Sequence, residues 1–205
     1  MTPPALAGLH VSDAPERWRR LGFTLSADGV ELDGVRITLG AHGRGITKWA
    51  IHGIRAAGDI DGLPTAVAAN PPSRAGSGPP HPNRALGIDH VVVVTPDFDR
   101  TAIALERSGM ALRRVRDAGG FRQGFRRLGP AILELVEATS MPGGPARFWG
   151  LVITVPDLVE LGARLAPHLG HPTAAVQSGR RIATLRKSAG VSPKLAFMTP
   201  EPELP

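Results

Sequence analysis

His90 and Glu134 are the two residues of this chain best placed to do chemistry together. Each sits in a largely apolar, β-branched or aliphatic run, residues 88–95 and 131–136. Strand alternation groups His90 with Ile88 and Val92 on one face, and Glu134 with Ile132 and Val136. An imidazole or a carboxylate among such side chains is expensive to bury unless it is paired or ligated. Three readings stand side by side: a hydrogen-bonded pair that fixes a sheet, two ligands of a metal ion, or a metal-free acid and base. A metal needs at least one more protein donor. His52 and His10, both in strand-like segments, supply it only if the N-terminal region packs onto the face that carries His90. Around this pair, Gln123 and Gln177 could orient a polar ligand through amide hydrogen bonds. Arg181, opposite in face to Arg180 and Ile182, could hold a carboxylate or phosphate in its planar fork. Trp149, with Phe148 beside it, could form an aromatic wall. The bland alternatives are an exposed edge glutamine, a solvated arginine and a core aromatic. Glu137 has the opposite parity to Glu134 and is expected on the other face.

The elements that carry these residues repeat. Residues 87–97 run GIDHVVVVTPD and residues 148–157 run FWGLVITVPD; each is followed by a helical segment that stops near Gly109 or Gly170. Aligned on Asp97 and Asp157, His90 is matched by Gly150 and Glu134 by Ala196. In the first copy, strand 88–95 leads to a helix at 100–108, with Asp97 or Asp99 as its cap. Strands at 111–116, 121–128 and 131–138 follow, parted by Gly119-Gly120 and Gly129-Pro130. In the second, strand 148–155 leads to a helix at 158–169 and to strands at 174–177, 180–186 and 194–198. Both copies read βαβββ. The N-terminal region is a worn relative: a strand ending at Asp13, a helix at 15–21, then strands at 23–25, 30–32, 35–39 and 46–54, with nothing regular expected beyond. That amounts to one module and a fragment. The expected division is residues 1–69 for this region, a Pro/Gly-rich linker at 70–83 and a paired-module domain at 84–200, split into 84–145 and 146–200.

Composition narrows the rest. The chain has 205 residues, 42% hydrophobic and 20% charged, enough to bury a core. It carries no Cys, which removes disulfides, thiolate catalysis and zinc–thiolate sites. The net charge of +6 comes almost wholly from Arg, the lysines being Lys48, Lys187 and Lys194. The arginines are spread along the chain and aromatics make up only 4%, so stacking on nucleic acid is poorly supported and nucleic acid is not expected as a partner. Clusters such as Arg113-Arg114-Val115-Arg116 still favour an anionic ligand. No apolar run has the length of a membrane span, and residues 1–6 lack a signal peptide's pattern, so a cytoplasmic protein is expected.

With Ile88-Asp89-His90-Val91-Val92-Val93 followed by Asp97, then Leu128-Gly129-Pro130-Ala131-Ile132-Leu133-Glu134-Leu135, residues 84 to 200 or so resemble the vicinal oxygen chelate superfamily. That superfamily includes glyoxalase I, extradiol dioxygenases and the fosfomycin- and bleomycin-resistance proteins. The resemblance implies an α+β fold in which paired βαβββ modules form a cupped mixed sheet, with ligands reaching into the cup. It implies one divalent metal ion, for which His90 and Glu134 fit the first module's positions while Gly150 and Ala196 do not fit those of the second; no organic cofactor is indicated. The implied function is binding of a small oxygenated, anionic compound, either with metal-assisted lyase, isomerase or dioxygenase chemistry or as a metal-free sequestering protein of the bleomycin-resistance type. A homodimer is among the assemblies such a protein forms.

Overall fold

The structure, a computed structural model, describes residues 2–73 and 78–202; residues 74–77 of the expected linker lie outside them. The first six strands form one sheet: β1 (Ala5–Val11), β2 (Gly29–Leu32), β3 (Val35–Thr38), β4 (Ile46–His52), β5 (Gly58–Ile60) and β6 (Leu63–Val67), in the order β2-β3-β1-β4-β6-β5. Helix α1 (Pro15–Arg20) lies between β1 and β2. Strands β5 and β6 correct the expectation that nothing regular follows Ile54. Asp61 and Gly62 take positive φ, 51° and 89°, and close a two-residue hairpin of the kind an Asp-Gly pair favours. Residues 23–25, expected as a strand, are irregular; Phe23 turns its ring into the core beside Trp18 and Phe197. Because β1 runs parallel to β3, β4 parallel to β6 and β1 antiparallel to β4, the region holds two partial modules rather than one and a fragment. The second has a loop, residues 53–57, in place of a helix.

The remaining strands build a sheet of eight. The first module is β7 (Gly87–Thr95), α2 (Phe98–Arg107), β8 (Arg114–Asp117), β9 (Arg122–Leu128) and β10 (Ala131–Glu137). The second is β11 (Arg147–Thr154), α3 (Leu158–Arg164), β12 (Thr173–Ala174), β13 (Arg181–Thr184) and β14 (Lys194–Met198). The order β12-β13-β14-β11-β7-β10-β9-β8 places the two opening strands side by side and antiparallel at the centre. Asp97 caps α2 through the Arg100 amide at 3.0 Å, and Asp157 caps α3 through Val159 and Glu160 at 2.7 and 3.0 Å. His90 lies opposite Ile132 with Val92 opposite Glu134; Gly150 lies opposite Lys194 with Val152 opposite Ala196. The match of His90 with Gly150, and of Glu134 with Ala196, is therefore also a match of register.

The central pair carries two register shifts, one per strand. Ile88 pairs with Ile153 and His90 with Val152, which leaves Asp89 unopposed; Phe148 pairs with Val93 and Gly150 with Val92, which leaves Trp149 unopposed. These bulges sit at equivalent places in the two modules. A bulge inserts one residue and re-aims the side chains around it. Ile88 therefore turns into the core at 3% exposure, away from the face of His90, which corrects the simple alternation expected from sequence. The same shifts recur in the smaller sheet, where Ala7 and Thr47 are the unopposed residues of β1 and β4.

Leu9, Val11, Trp49 and Ile51 of the small sheet share one core with Val91, Val93, Leu151 and Ile153 of the large one. Trp49 meets Phe148 edge-on at 5.2 Å within it. The sheets are thus back to back, and the alternate residues His90, Val92 and Val94 face away from the N-terminal region. Two buried carboxylates fasten the join. Asp13 accepts hydrogen bonds from Trp18 Nε1 at 3.1 Å and from the Ser192 amide at 2.9 Å. Asp61 accepts from Arg100 Nε at 2.7 Å and from the Thr101 hydroxyl. The end of the connecting segment is tied down too: His81 Nδ1 accepts from the Thr24 amide, and Asn83 donates to Leu21 O at 2.9 Å. Among the described residues no helix is long and apolar enough to cross a membrane.

Gly150 is fixed by contact rather than by dihedral. A Cβ there would stand 2.1 Å from the carbonyl oxygen of Lys194, so β11 and β14 approach more closely than any side chain permits. Gly150→Ala is expected to destabilise the protein by roughly 1–3 kcal/mol, the usual cost of overpacking, and Gly150→His by more. Urea denaturation of the two variants measures it; an alanine accepted at no cost would mean that the two strands do not approach this closely.

Candidate functional site

The bulge at Asp89 does more than shift register. Successive strand residues normally point to opposite faces, yet Asp89 and His90 meet, with His90 Nδ1 2.8 Å from Asp89 Oδ1. On the other side of the ring His90 Nε2 lies 3.1 Å from Glu134 Oε2, carried by β10 one strand away. The imidazole is thus held between two carboxylates, and all three side chains are largely buried. Each carboxylate has a further donor. Arg180, buried just before β13, binds Asp89 Oδ2 and also gives a 2.7 Å hydrogen bond to Thr199 O. Gln123 Nε2 of β9 donates to Glu134 Oε1 at 2.8 Å, and Arg116 Nε of β8 donates to Gln123 Oε1 at 2.8 Å. Arg116 in turn lies over the Phe125 ring, 5.2 Å from its centroid. One unbroken chain of hydrogen bonds therefore crosses the sheet from Arg180 to Arg116.

The two carboxylates favour a charged His90. Ionised carboxylates only accept, so both ring nitrogens must carry protons and the ring is an imidazolium. Burial disfavours this charge, but the hydrogen bonds and negative charges of Asp89 and Glu134 outweigh burial and raise the pKa from 6.5 to about 9. For Asp89, burial pushes the pKa up, and the hydrogen bonds from His90 and Arg180 more than reverse it, holding the carboxyl below its ordinary range.

Above the triad the sheet forms a cup. Two adjoining hollows, of about 280 and 230 Å³, share His90, Glu134 and Ile182. Val92, Val94, Val136, Leu151 and Val152 wall the larger one, with Trp149 and Lys194 at its rim. Trp149 is 47% exposed, unusual for so large an apolar side chain and explained by the bulge that turns it outward. The smaller hollow is bounded by Arg116, Gln123, Gln177 and Met198. Together they fall within the roughly 300–1,000 Å³ span of small-ligand sites.

Most residues expected at the site do gather here. His90, Glu134, Gln123, Gln177 and Trp149 all border the cup. Arg181 does not: it is exposed and its guanidinium turns to Pro172 O at 2.9 Å, while its neighbour Arg180 enters the network. Phe148 lies in the core against Trp49, and Glu137 pairs with Arg122 at 2.9 Å outside the cup. His10 and His52 sit on the outward face of the small sheet, alternating with the core residues Leu9, Val11 and Ile51, so the two sheets and the core separate them from His90. Two residues of the network were not expected from the sequence, Asp89 and Arg180. The available signals were an acid inside a β-branched run and an arginine beside a Ser-Gly turn.

The donor set does not converge on a metal position. Asp89 and Glu134 occupy opposite nitrogens of one ring, so no point lies within ligand distance of all three. Among the described residues no group of three or more His, Cys, Asp or Glu is arranged to hold a metal ion. At the second module's corresponding positions stand Gly150, which has no room for a side chain, and Ala196.

No protein-family model and no curated protein sequence matches the chain. Solved structures do. A triple mutant of 4-hydroxymandelate synthase from Streptomyces coelicolor aligns over 100% of this chain and 94% of its own, at 16% identity and a TM-score of 0.63. Methylmalonyl-CoA epimerase from Mycobacterium tuberculosis aligns over 58% of this chain and 91% of its own, at 18% identity and a TM-score of 0.48. The synthase likeness spans both sheets, and the larger sheet is built of paired βαβββ modules. This chain shares the fold of that synthase, a glyoxalase-like cupped sheet built of paired βαβββ modules.

Proposed function

We propose that the protein binds a small, largely apolar compound bearing a polar group, in the cup of the eight-stranded sheet and without a metal. One observation carries this reading: both nitrogens of His90 are engaged by carboxylates at the foot of a valine-walled hollow. A nitrogen ligates a metal only in its unprotonated form. The apolar walls favour a hydrocarbon or aromatic body. Glu134 accepts one hydrogen bond on each oxygen and keeps acceptor capacity for a donor on the ligand, while Lys194 and Arg116 at the margins suit an anionic group. This is the sequestering mode of the superfamily. The metal-assisted lyase, isomerase or dioxygenase that the sequence resemblance implies would need donors that these residues do not present together. A second, enzymatic reading rests on the spare lone pairs of Glu134: proton transfer from a bound ligand without a metal, in which His90 and Gln123 hold the carboxylate in place and it takes the proton.

Fluorescence titration with 1-anilinonaphthalene-8-sulfonate, an apolar anion, is expected to saturate on the folded protein. Val136→Trp, which fills the cup from its wall, weakens that binding about tenfold or more and leaves the melting temperature within a few degrees. Metal analysis of the protein purified without a His-tag is expected to find no stoichiometric ion. Bound metal that disappears in His90→Ala would sink the metal-free reading, and dye binding indifferent to Val136→Trp would sink the cup.

The charge on His90 makes a separate prediction. Its folded pKa is raised from 6.5 to about 9, so its contribution to stability is complete below pH 6.5 and fades as the pH climbs through 9. The amount at stake is on the order of 2–3 kcal/mol. Asp89, held low, contributes above its ordinary pKa and loses its contribution only in acid. Wild type should therefore lose stability between pH 6.5 and 9.5, while His90→Gln shows a flatter profile over that interval. An imidazole that titrates near 6.5 by NMR would mean that the ring is not flanked by two ionised carboxylates.

A further inference from the structure

The seam between the two sheets holds a second cleft, of about 400 Å³, whose lining contains Arg17, Arg44, Arg186, Lys187 and Lys194 and no carboxylate. Arg17, on helix α1, and Arg44, in the loop before β4, come from the N-terminal region and the other three from the C-terminal module, so neither half makes the cleft alone. Its floor is braced. Ser192 donates its amide to Asp13 at 2.9 Å and accepts the Gly45 amide on its hydroxyl at 3.1 Å, and Arg17 binds Gly190 O at 2.5 Å. The carboxylate nearest to these cations is that of Asp13, 3.8 Å from Arg17, and it is buried and already shared between Trp18 and the Ser192 amide. Among the described residues the side chains of Arg44, Lys187 and Lys194 have no hydrogen bond or ion pair; Arg186 uses one nitrogen on Pro167 O.

Five like charges around a concave surface repel one another, and a concave wall focuses their field. Arginines scattered over a convex face avoid this cost by pointing apart into water. Here five exposed cations border one concavity whose backbone is pinned, and an anion of more than one charge bound there would relieve their repulsion. We infer that this cleft is a binding site for a phosphate-type polyanion, a diphosphate or a phosphorylated small molecule, distinct from the cup and meeting it at Lys194, which stands in both linings. Arginine forks supply paired donors to phosphate oxygens, and the lysines supply point charge. A concavity of this size suits a compact anion; a nucleic-acid strand would call for an extended basic track.

Calorimetric titration with inorganic pyrophosphate at constant ionic strength tests the assignment. Saturable binding near one equivalent is expected, weakened about tenfold or more in the double variant Arg44→Glu/Lys187→Glu, whose side chains make no contact the fold needs. Arg55→Glu/Arg107→Glu makes the same change in net charge elsewhere on the surface and should bind like wild type. Val136→Trp should also bind pyrophosphate normally, which separates this site from the reading of the cup. Binding that fails to saturate, an equal loss in both double variants, or a duplex oligonucleotide that competes out pyrophosphate at lower concentration would each overturn the proposal.

Discussion

A cationic imidazole can be buried in a sheet only if its counter-charges are delivered by backbone that cannot retreat, and the bulge at Asp89 meets that condition. Without the extra residue Asp89 would face the core among Val91 and Val93, where an unpaired carboxylate is prohibitively costly. With it, Asp89 turns out of the core, meets His90 Nδ1, and leaves Glu134 to take Nε2 from the parallel neighbour strand. Arg180 and Gln123 then complete the carboxylates. Each member is satisfied by the next, and such completeness separates a stabilising polar network from a destabilising one. The matching bulge at Trp149 applies the same backbone device to a different side chain. There it pushes an indole to the rim of the cup instead of drawing an acid into its floor.

The duplication was legible in the sequence because register is a property of spacing. His90 with Gly150 and Glu134 with Ala196 could be aligned from the strand–helix–strand order alone, and the paired strands keep those offsets. What sequence could not give was any fact that depends on a one-residue insertion. Strict alternation placed Ile88 beside His90, which the bulge reverses; it grouped Arg180 with Ile182 opposite Arg181, which the structure keeps, but carried no mark of which of those faces meets the cup. Bulges leave no reliable mark in composition, since the inserted residue needs no particular side chain: Asp89, Trp149, Ala7 and Thr47 have nothing in common. The N-terminal region was under-read for a different reason. Its second module has exchanged a helix for a short loop, so helical periodicity, the strongest signal of a repeat, is missing, and the Asp61-Gly62 hairpin had to be recognised by itself.

The placement of that N-terminal region decides more than its own structure. Packed against the back of the larger sheet through Trp49 and Phe148, it cannot lend His10 or His52 to the cup. It can stiffen the cup's floor, because Val91, Val93, Leu151 and Ile153 are now fully covered and the strands bearing His90 and Gly150 are held from behind. It also creates a seam, and charge accumulates there because helix α1 and the loop before β4 bring arginines toward the last turns of the second module. A sheet that in isolation would expose an apolar back has thereby gained both a rigid cup and a second concave surface.

Rigidity is also the better account of why a buried charge network persists in the cup. Replacing such a network by well-packed apolar residues often leaves a protein as stable or more so, whereas removing a single partner is severe. Stability alone therefore does not explain six linked polar side chains where valines fill the surroundings. What the network provides is a fixed set of directions: a carboxylate with spare lone pairs aimed into an apolar hollow, held against rotation by a ring on one oxygen and an amide on the other. A site on rigid strands, locked by outer hydrogen bonds, loses little freedom when a ligand arrives, and that saving appears as affinity. In this chain the polar groups of the cup are organised before any ligand enters, and the organising element is the bulged strand at the sheet's centre.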